Sequence, residues 1–247
     1  MRIKILIEYD GTDFVGWQKQ INGKSVQGEI ENCLEKIFNL KIKLFVAGRT
    51  DSGVHANGQV AHFDIDKTDI TPEKIFLAIN YYLKLSKNNI SILDSKKVST
   101  NFHARFSAKL RIYEYQILNR KVNSPLMSKK VWFIPYKIDR DLIIRASKLL
   151  IGKHDFNSFR STKCQAKNSI RSIKDIKIVY EEEKISINVH AKSFLHNQVR
   201  IIVGSLINVA RNYWTVEELG HILESKDRRK AGPTAPAHGL YLKKILY

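Results

Sequence analysis

With 247 residues, 43% of them hydrophobic, and a formal net charge of +18, the chain is long enough to bury a full core and is strongly cationic. That balance argues against an enzyme of small metabolites alone and for a polyanionic partner, nucleic acid foremost, although plentiful Lys, Asn and Ile also point to compositional drift. No run of about eighteen apolar residues offers a membrane span, the opening M-R-I-K-I-L-I-E-Y-D carries charge at once, and Cys33 and Cys164 form neither a disulfide framework nor a paired metal-ligand spacing, so the cytoplasm is the expected compartment.

Residues 2–9 alternate with Ile3, Ile5, Ile7 and Tyr9 on one face, a half-buried strand that Asp10-Gly11 ends. A loop with Phe14 and Trp17 follows. Ser25 is a good N-cap, and Val26, Ile30, Cys33, Leu34 and Ile37 have the spacing of a helix packed on a sheet. Ile42, Leu44 and Val46 predict a strand into A-G-R-T-D-S-G-V-H-A at 47–56, and Ala61, Phe63 and Ile65 a strand out of it. Thr71-Pro72, a cap and a first-turn proline, opens a second helix through Ile75, Phe76, Ile79, Tyr82 and Leu83, and residues 90–98 read as a further strand.

The order strand, helix, strand, strand, helix, strand is that of a ferredoxin-like unit, with both helices on one face of an antiparallel sheet. After it come a long strand at 108–118, an irregular basic stretch through Pro135, and a helix following Asp139. Residues 172–180 and 184–190 predict a hairpin around Glu181-Glu182-Glu183, and 194–209 a strongly apolar helix. Thr215 and Glu218 make a capping box, and 239–246 a closing strand. The expected fold is α+β: two ferredoxin-like halves, 1–104 and 105–247, joined through a continuous, mostly antiparallel sheet with helices on one face and a central basic cleft.

In the 47–56 loop, Gly48 and Gly53 frame Thr50 and Asp51 on what reads as a tight turn, with Arg49 two residues before the carboxylate. An Asx-type turn with an incidental arginine accounts for these residues alone as well as a site does. Arg200 lies in a segment so apolar (Val199, Ile201, Ile202, Val203) that an unpaired guanidinium would be costly, so an anion is expected beside it. His190 and His196 are six apart, a spacing that does not suit one helical face, and ordinary polar histidines explain them better than a metal site.

Eight stretches, in order along nearly the whole chain, carry a resemblance. They are Y-D-G-T-D-F-V-G-W-Q at 9–18, S-V-Q at 25–27, G-R-T-D-S-G-V-H-A at 48–56, N-F-H-A-R-F-S-A at 101–108, Y-E-Y at 113–115, D-F-N-S-F at 155–159, F-L-H-N-Q-V-R-I-I-V-G at 194–204 and A-P-A-H-G-L-Y-L at 235–242. The chain resembles the tRNA pseudouridine synthase A family. Ser52 and Ala210 depart from residues common in that family, but neither has a chemical role.

The resemblance implies isomerisation of uridine at positions 38, 39 and 40 of the tRNA anticodon stem-loop by a cytoplasmic homodimer that needs neither metal nor cofactor. It places the essential carboxylate at Asp51, the cation that keeps it ionised at Arg200, and a tyrosine suited to stacking on the detached base and to proton transfer at Tyr113. Arg49, Arg105 and His103 are expected to contact RNA. Trp17 and Gln18, within the motifs, and Arg160, directly after D-F-N-S-F, have no derivable role. The alternatives are a non-catalytic RNA-binding module or RNA chaperone on the same fold, and an RNA nuclease using Asp51 and a histidine.

Overall fold

The computed structural model describes residues 1–21 and 23–247. The described chain forms two compact units, Met1–Lys109 with Leu242–Tyr247, and Leu110–Tyr241.

In the first unit, β1 (Arg2–Tyr9) buries Ile3, Ile5, Ile7 and Tyr9 on one face, and α1 (Val26–Phe38) begins where the Ser25 hydroxyl accepts from the Gly28 N–H at 3.2 Å. The strand into the central loop is shorter than its apolar alternation suggests. Ile42 and Leu44 are buried, yet only Phe45–Val46 (β2) pairs with β3 (His55–Asp64), because the preceding residues bond elsewhere: the Leu44 N–H goes to the Glu31 carboxylate of α1 at 3.0 Å. Thr71 makes no side-chain cap. Instead a 3-10 turn at Pro72–Lys74 leads into α2 (Ile75–Leu85), whose Phe76 N–H is taken by Ser95 of β4 (Ile90–Val98). The pairings β4-β1-β3-β2 are antiparallel and in ferredoxin-like order, and α1 packs against α2. The chain's final strand, β10 (Leu240–Leu246), lies on β3 so closely that a Cβ on Gly58 would come 2.6 Å from the Lys243 carbonyl oxygen.

In the second unit, β5 (Leu110–Asn119) pairs antiparallel with β9 (Lys184–Ala191), and β9 with β8 (Ile170–Glu181). First, third, second is again the spatial order. Glu182-Glu183 forms the two-residue hairpin, with Glu182 in the left-handed region at φ 52°. Two short strands escape the periodicity: β6 (Trp132–Ile134), parallel to β5, and β7 (Gly152–Asp155) on β8, each too short to show an alternation. Asp139 caps α3 (Arg140–Lys148), and the Thr215/Glu218 capping box opens α5 (Val216–Ser225) as expected. The apolar helix starts four residues later than its composition suggests, as α4 (Gln198–Ala210), because Asn197 sits at φ 61° and ends the preceding loop. Nearly all of α4 is buried, and it packs on α3, α5 and β5. Among the described residues, no helix is long and apolar enough to cross a membrane.

Candidate active site

The 47–56 loop is built from β1, β3 and the Asp10–Gln18 segment. Val54 donates to the Asp51 carbonyl at 3.2 Å, closing a turn whose third residue, Gly53, has φ 75°, a conformation other L-residues resist. The hydroxyls of Tyr9 and Thr50 lie 2.7 Å apart and buried, and Trp17 N–H donates to the Thr50 carbonyl at 3.0 Å. Burial pushes the Tyr9 phenol up to about 12, opposed by its bonds to Thr50 and Gln59, so it stays neutral. Gln59 also donates to the Gly48 carbonyl at 2.7 Å.

Two glycines of the Asp10–Gln18 segment let its backbone lie against the loop. A Cβ on Gly11 would come 2.0 Å from the Val54 carbonyl oxygen; on Gly16, at φ 109°, it would come 2.7 Å from the Thr50 carbonyl oxygen. The motif at 9–18 therefore serves as the seat of the loop at 48–56. This gives Trp17 a physical part: its backbone anchors Thr50, and its buried ring lies 6.1 Å from that of Tyr9. Asp51 is half-buried on this seat and Arg49 is exposed. Gln18 is exposed and Arg160 half-buried.

His103 and Arg105 sit in another turn of the first unit. His103 N–H donates to the Ser107 hydroxyl and Ser107 N–H to the His103 carbonyl, both at 2.9 Å, while Arg105 N–H donates to His103 Nδ1 at 3.1 Å. Burial, more than the nearby Arg2 and Arg105, lowers the His103 pKa, so its imidazole is neutral at neutral pH.

In the second unit, Tyr113 of β5 is 9% exposed and meets the Phe194 ring edge-on at 5.1 Å. Arg200, half-buried, stands in the first turn of α4, its Nε donating to the Ala235 carbonyl at 2.7 Å and its guanidinium to Asn197 Oδ1 at 2.9 Å. Ala235 N–H returns to the Arg200 carbonyl at 3.1 Å. The motif at 235–242 thus holds the arginine of the motif at 194–204. A Cβ on Gly204 would come 1.9 Å from the Pro233 carbonyl oxygen, so the helix and the 231–236 segment meet backbone to backbone. Tyr115 donates to the Pro236 carbonyl at 2.8 Å, and burial raises its pKa although Arg200 opposes the shift. Of the residues singled out in the sequence, Asp51, Arg49, His103 and Arg105 thus belong to the first unit and Tyr113 and Arg200 to the second. Among the described residues, no group of three or more His, Cys, Asp or Glu could hold a metal ion.

Sequence relationships agree with this arrangement of motifs. A family model described as tRNA pseudouridine synthase matches residues 5–107 and 146–247. The chain is 48% identical over 248 residues to the tRNA pseudouridine synthase A of Wolbachia pipientis wMel, and 46% over 247 residues to that of Neorickettsia sennetsu (strain ATCC VR-367 / Miyayama). It is 45% identical over 249 residues to that of Anaplasma phagocytophilum (strain HZ), and in all three cases 100% of both chains is covered. With matches spanning both units, the chain belongs to the tRNA pseudouridine synthase family.

Proposed function

We propose that the protein isomerises uridine to pseudouridine in the anticodon stem-loop of tRNA, at positions 38, 39 and 40, as a cytoplasmic homodimer. The bond from ribose C1' to N1 breaks, the base turns, C1' joins C5, N1 gains a hydrogen and C5 loses one. The change is redox-neutral. Asp51 is the essential carboxylate, acting by covalent attack or by assisting proton removal while the base is detached. Arg200 is the cation that favours its ionised form, and Tyr113 stacks on the detached uracil and moves protons through its hydroxyl. Arg49, Arg105 and His103 contact the RNA around the extruded nucleotide. Because extrusion costs a few kcal/mol, phosphate contacts must supply the offset, which is the use of the +18 charge.

The observation that carries this reading is the braced turn: two motifs of the family, 9–18 and 48–56, join through Tyr9–Thr50 and Trp17–Thr50 bonds to hold one carboxylate on a fixed loop. A chaperone has no need of such a seat. The test is chemical mapping of pseudouridine in unmodified tRNA incubated with the protein. New pseudouridine at 38–40 is expected, and modification confined to another region would refute the proposed target.

A further inference from the structure

In the first unit, His103 and Arg105 also join a set of rings to which the reading above gives no part. From β2 to the 101–108 turn, rings run in contact: Phe45 stacks on His62 with centroids 5.1 Å apart, His62 meets His103 at 4.8 Å, and His103 meets Phe106 at 4.4 Å. His62 is buried, Phe45 is 38% exposed, and Phe106, at the tip of the turn, is 73% exposed. A cation stands at each end, with Lys43 Nζ 5.6 Å from the Phe45 centroid and the Arg105 guanidinium 5.6 Å from that of Phe106.

The turn is held firmly. Besides the His103–Ser107 bonds, Ala104 N–H donates to His62 Nδ1 at 3.2 Å and the Ala104 carbonyl accepts from the Tyr247 hydroxyl at 2.9 Å. Phe106 therefore projects from a fixed base, and the fold gains little from it. A single exposed apolar side chain is ordinary. An exposed ring at the end of a run of touching rings, stacked at Phe45–His62, edge-on at His62–His103 and tilted at His103–Phe106, with a cation at either end, offers faces for unpaired bases and charge for their phosphates. Phe45 lies six residues before Asp51, so the two are at most ~22 Å apart along an extended chain.

We propose that Phe106 and Phe45, flanked by Arg105 and Lys43, form a stacking shelf for an unpaired stretch of tRNA outside the target nucleotide. This rests on the tRNA reading above. Burial lowers the His62 pKa to about 4 and that of His103 in the same direction, so the imidazoles between the two phenylalanines are neutral rings, and the phosphates fall to Lys43 and Arg105.

The test is steady-state kinetics of pseudouridine formation on an unmodified tRNA transcript by wild type, Phe106→Leu and Phe106→Tyr, with tRNA affinity measured in parallel. Phe106→Leu, which keeps an apolar side chain and loses the π-face, is expected to raise KM and Kd about tenfold, and Phe106→Tyr to restore both. Lys43→Ala is expected to make the slope of log Kd against log salt shallower by about one phosphate's share. Wild-type KM and Kd in Phe106→Leu would overturn the shelf, as would a change confined to the sedimentation mass, which would make Phe106 a protein contact. If wild type makes no pseudouridine, the isomerase reading fails, and tRNA affinity still decides the shelf.

Discussion

Asp51 owes its position to groups that never need to touch a substrate. Thr50, next to it, is held by the Tyr9 hydroxyl and by the Trp17 N–H, so Tyr9→Phe removes one buried bond from the loop while leaving the ring in place. A loss of about 1 kcal/mol in stability and a several-fold fall in kcat, with little change in tRNA affinity, are expected from chemical denaturation and initial-rate kinetics. Arg200 presents two donors in a fixed fork, to Ala235 and Asn197, and a lysine cannot reproduce that fork. Arg200→Lys is expected to lower kcat about a hundredfold in single-turnover assays, with the fold intact by circular dichroism. His62 gives a pH signature. Its folded pKa of about 4 lies below the ordinary 6.5, so below pH 6.5 the unfolded chain takes up the proton first; stability is full above that pH and falls until about pH 4. Thermal melts from pH 7 to 4 should show this fall, reduced in His62→Gln. At this scale Arg200 stands out in the sequence as a charge in an apolar run, whereas the glycines around Asp51 suit an ordinary turn equally well, and it is the order of the eight motifs that singles the carboxylate out. Trp17 was legible only as a motif member, because its part depends on a backbone bond to a residue 33 positions away. Phe106 likewise stood only as a motif member, since exposure cannot be read from composition.

Elements are positioned by close backbone approach as much as by apolar periodicity. Helix α4 follows a strong apolar pattern, yet what seats it is Gly204, which admits the Pro233 carbonyl where a methyl would stand 1.9 Å away. Gly204→Ala is expected to cost 1–3 kcal/mol of overpacking, or about 2–12 °C in Tm, measured by differential scanning calorimetry. Periodicity predicted β1, α1 and α3 well because each buries one regular face. It extended β2 upstream to Ile42, because burial of alternate residues does not require pairing: the Leu44 N–H bonds to Glu31 rather than to a strand. It placed the start of α4 at Phe194 because apolarity continues through a loop that Asn197, in the left-handed region, separates from the helix. Strands β6 and β7 have three and four residues, too few for any period to register.

For the molecule as a whole, the net charge of +18 has to be spent on something, and a phosphate backbone is the partner it fits. Binding of tRNA should weaken steeply with salt, log Kd changing against log salt by roughly 0.7–0.9 per phosphate neutralised, in filter-binding titrations between low and physiological ionic strength. A flat dependence would remove the phosphate grip from the account. The ferredoxin-like order β4-β1-β3-β2 of the first unit was readable from the succession of elements, whereas the return of the C-terminal strand to that unit was not, since nothing local in residues 240–246 names the strand they pair with. If Asp51 carries the isomerisation, the hydrogen that leaves C5 reports its part. With tRNA tritiated at uridine C5, wild type should release tritium to solvent, and Asp51→Ala should release none above background while still binding tRNA with affinity near that of wild type. Tritium release by Asp51→Ala at the wild-type rate would show that another group carries the reaction.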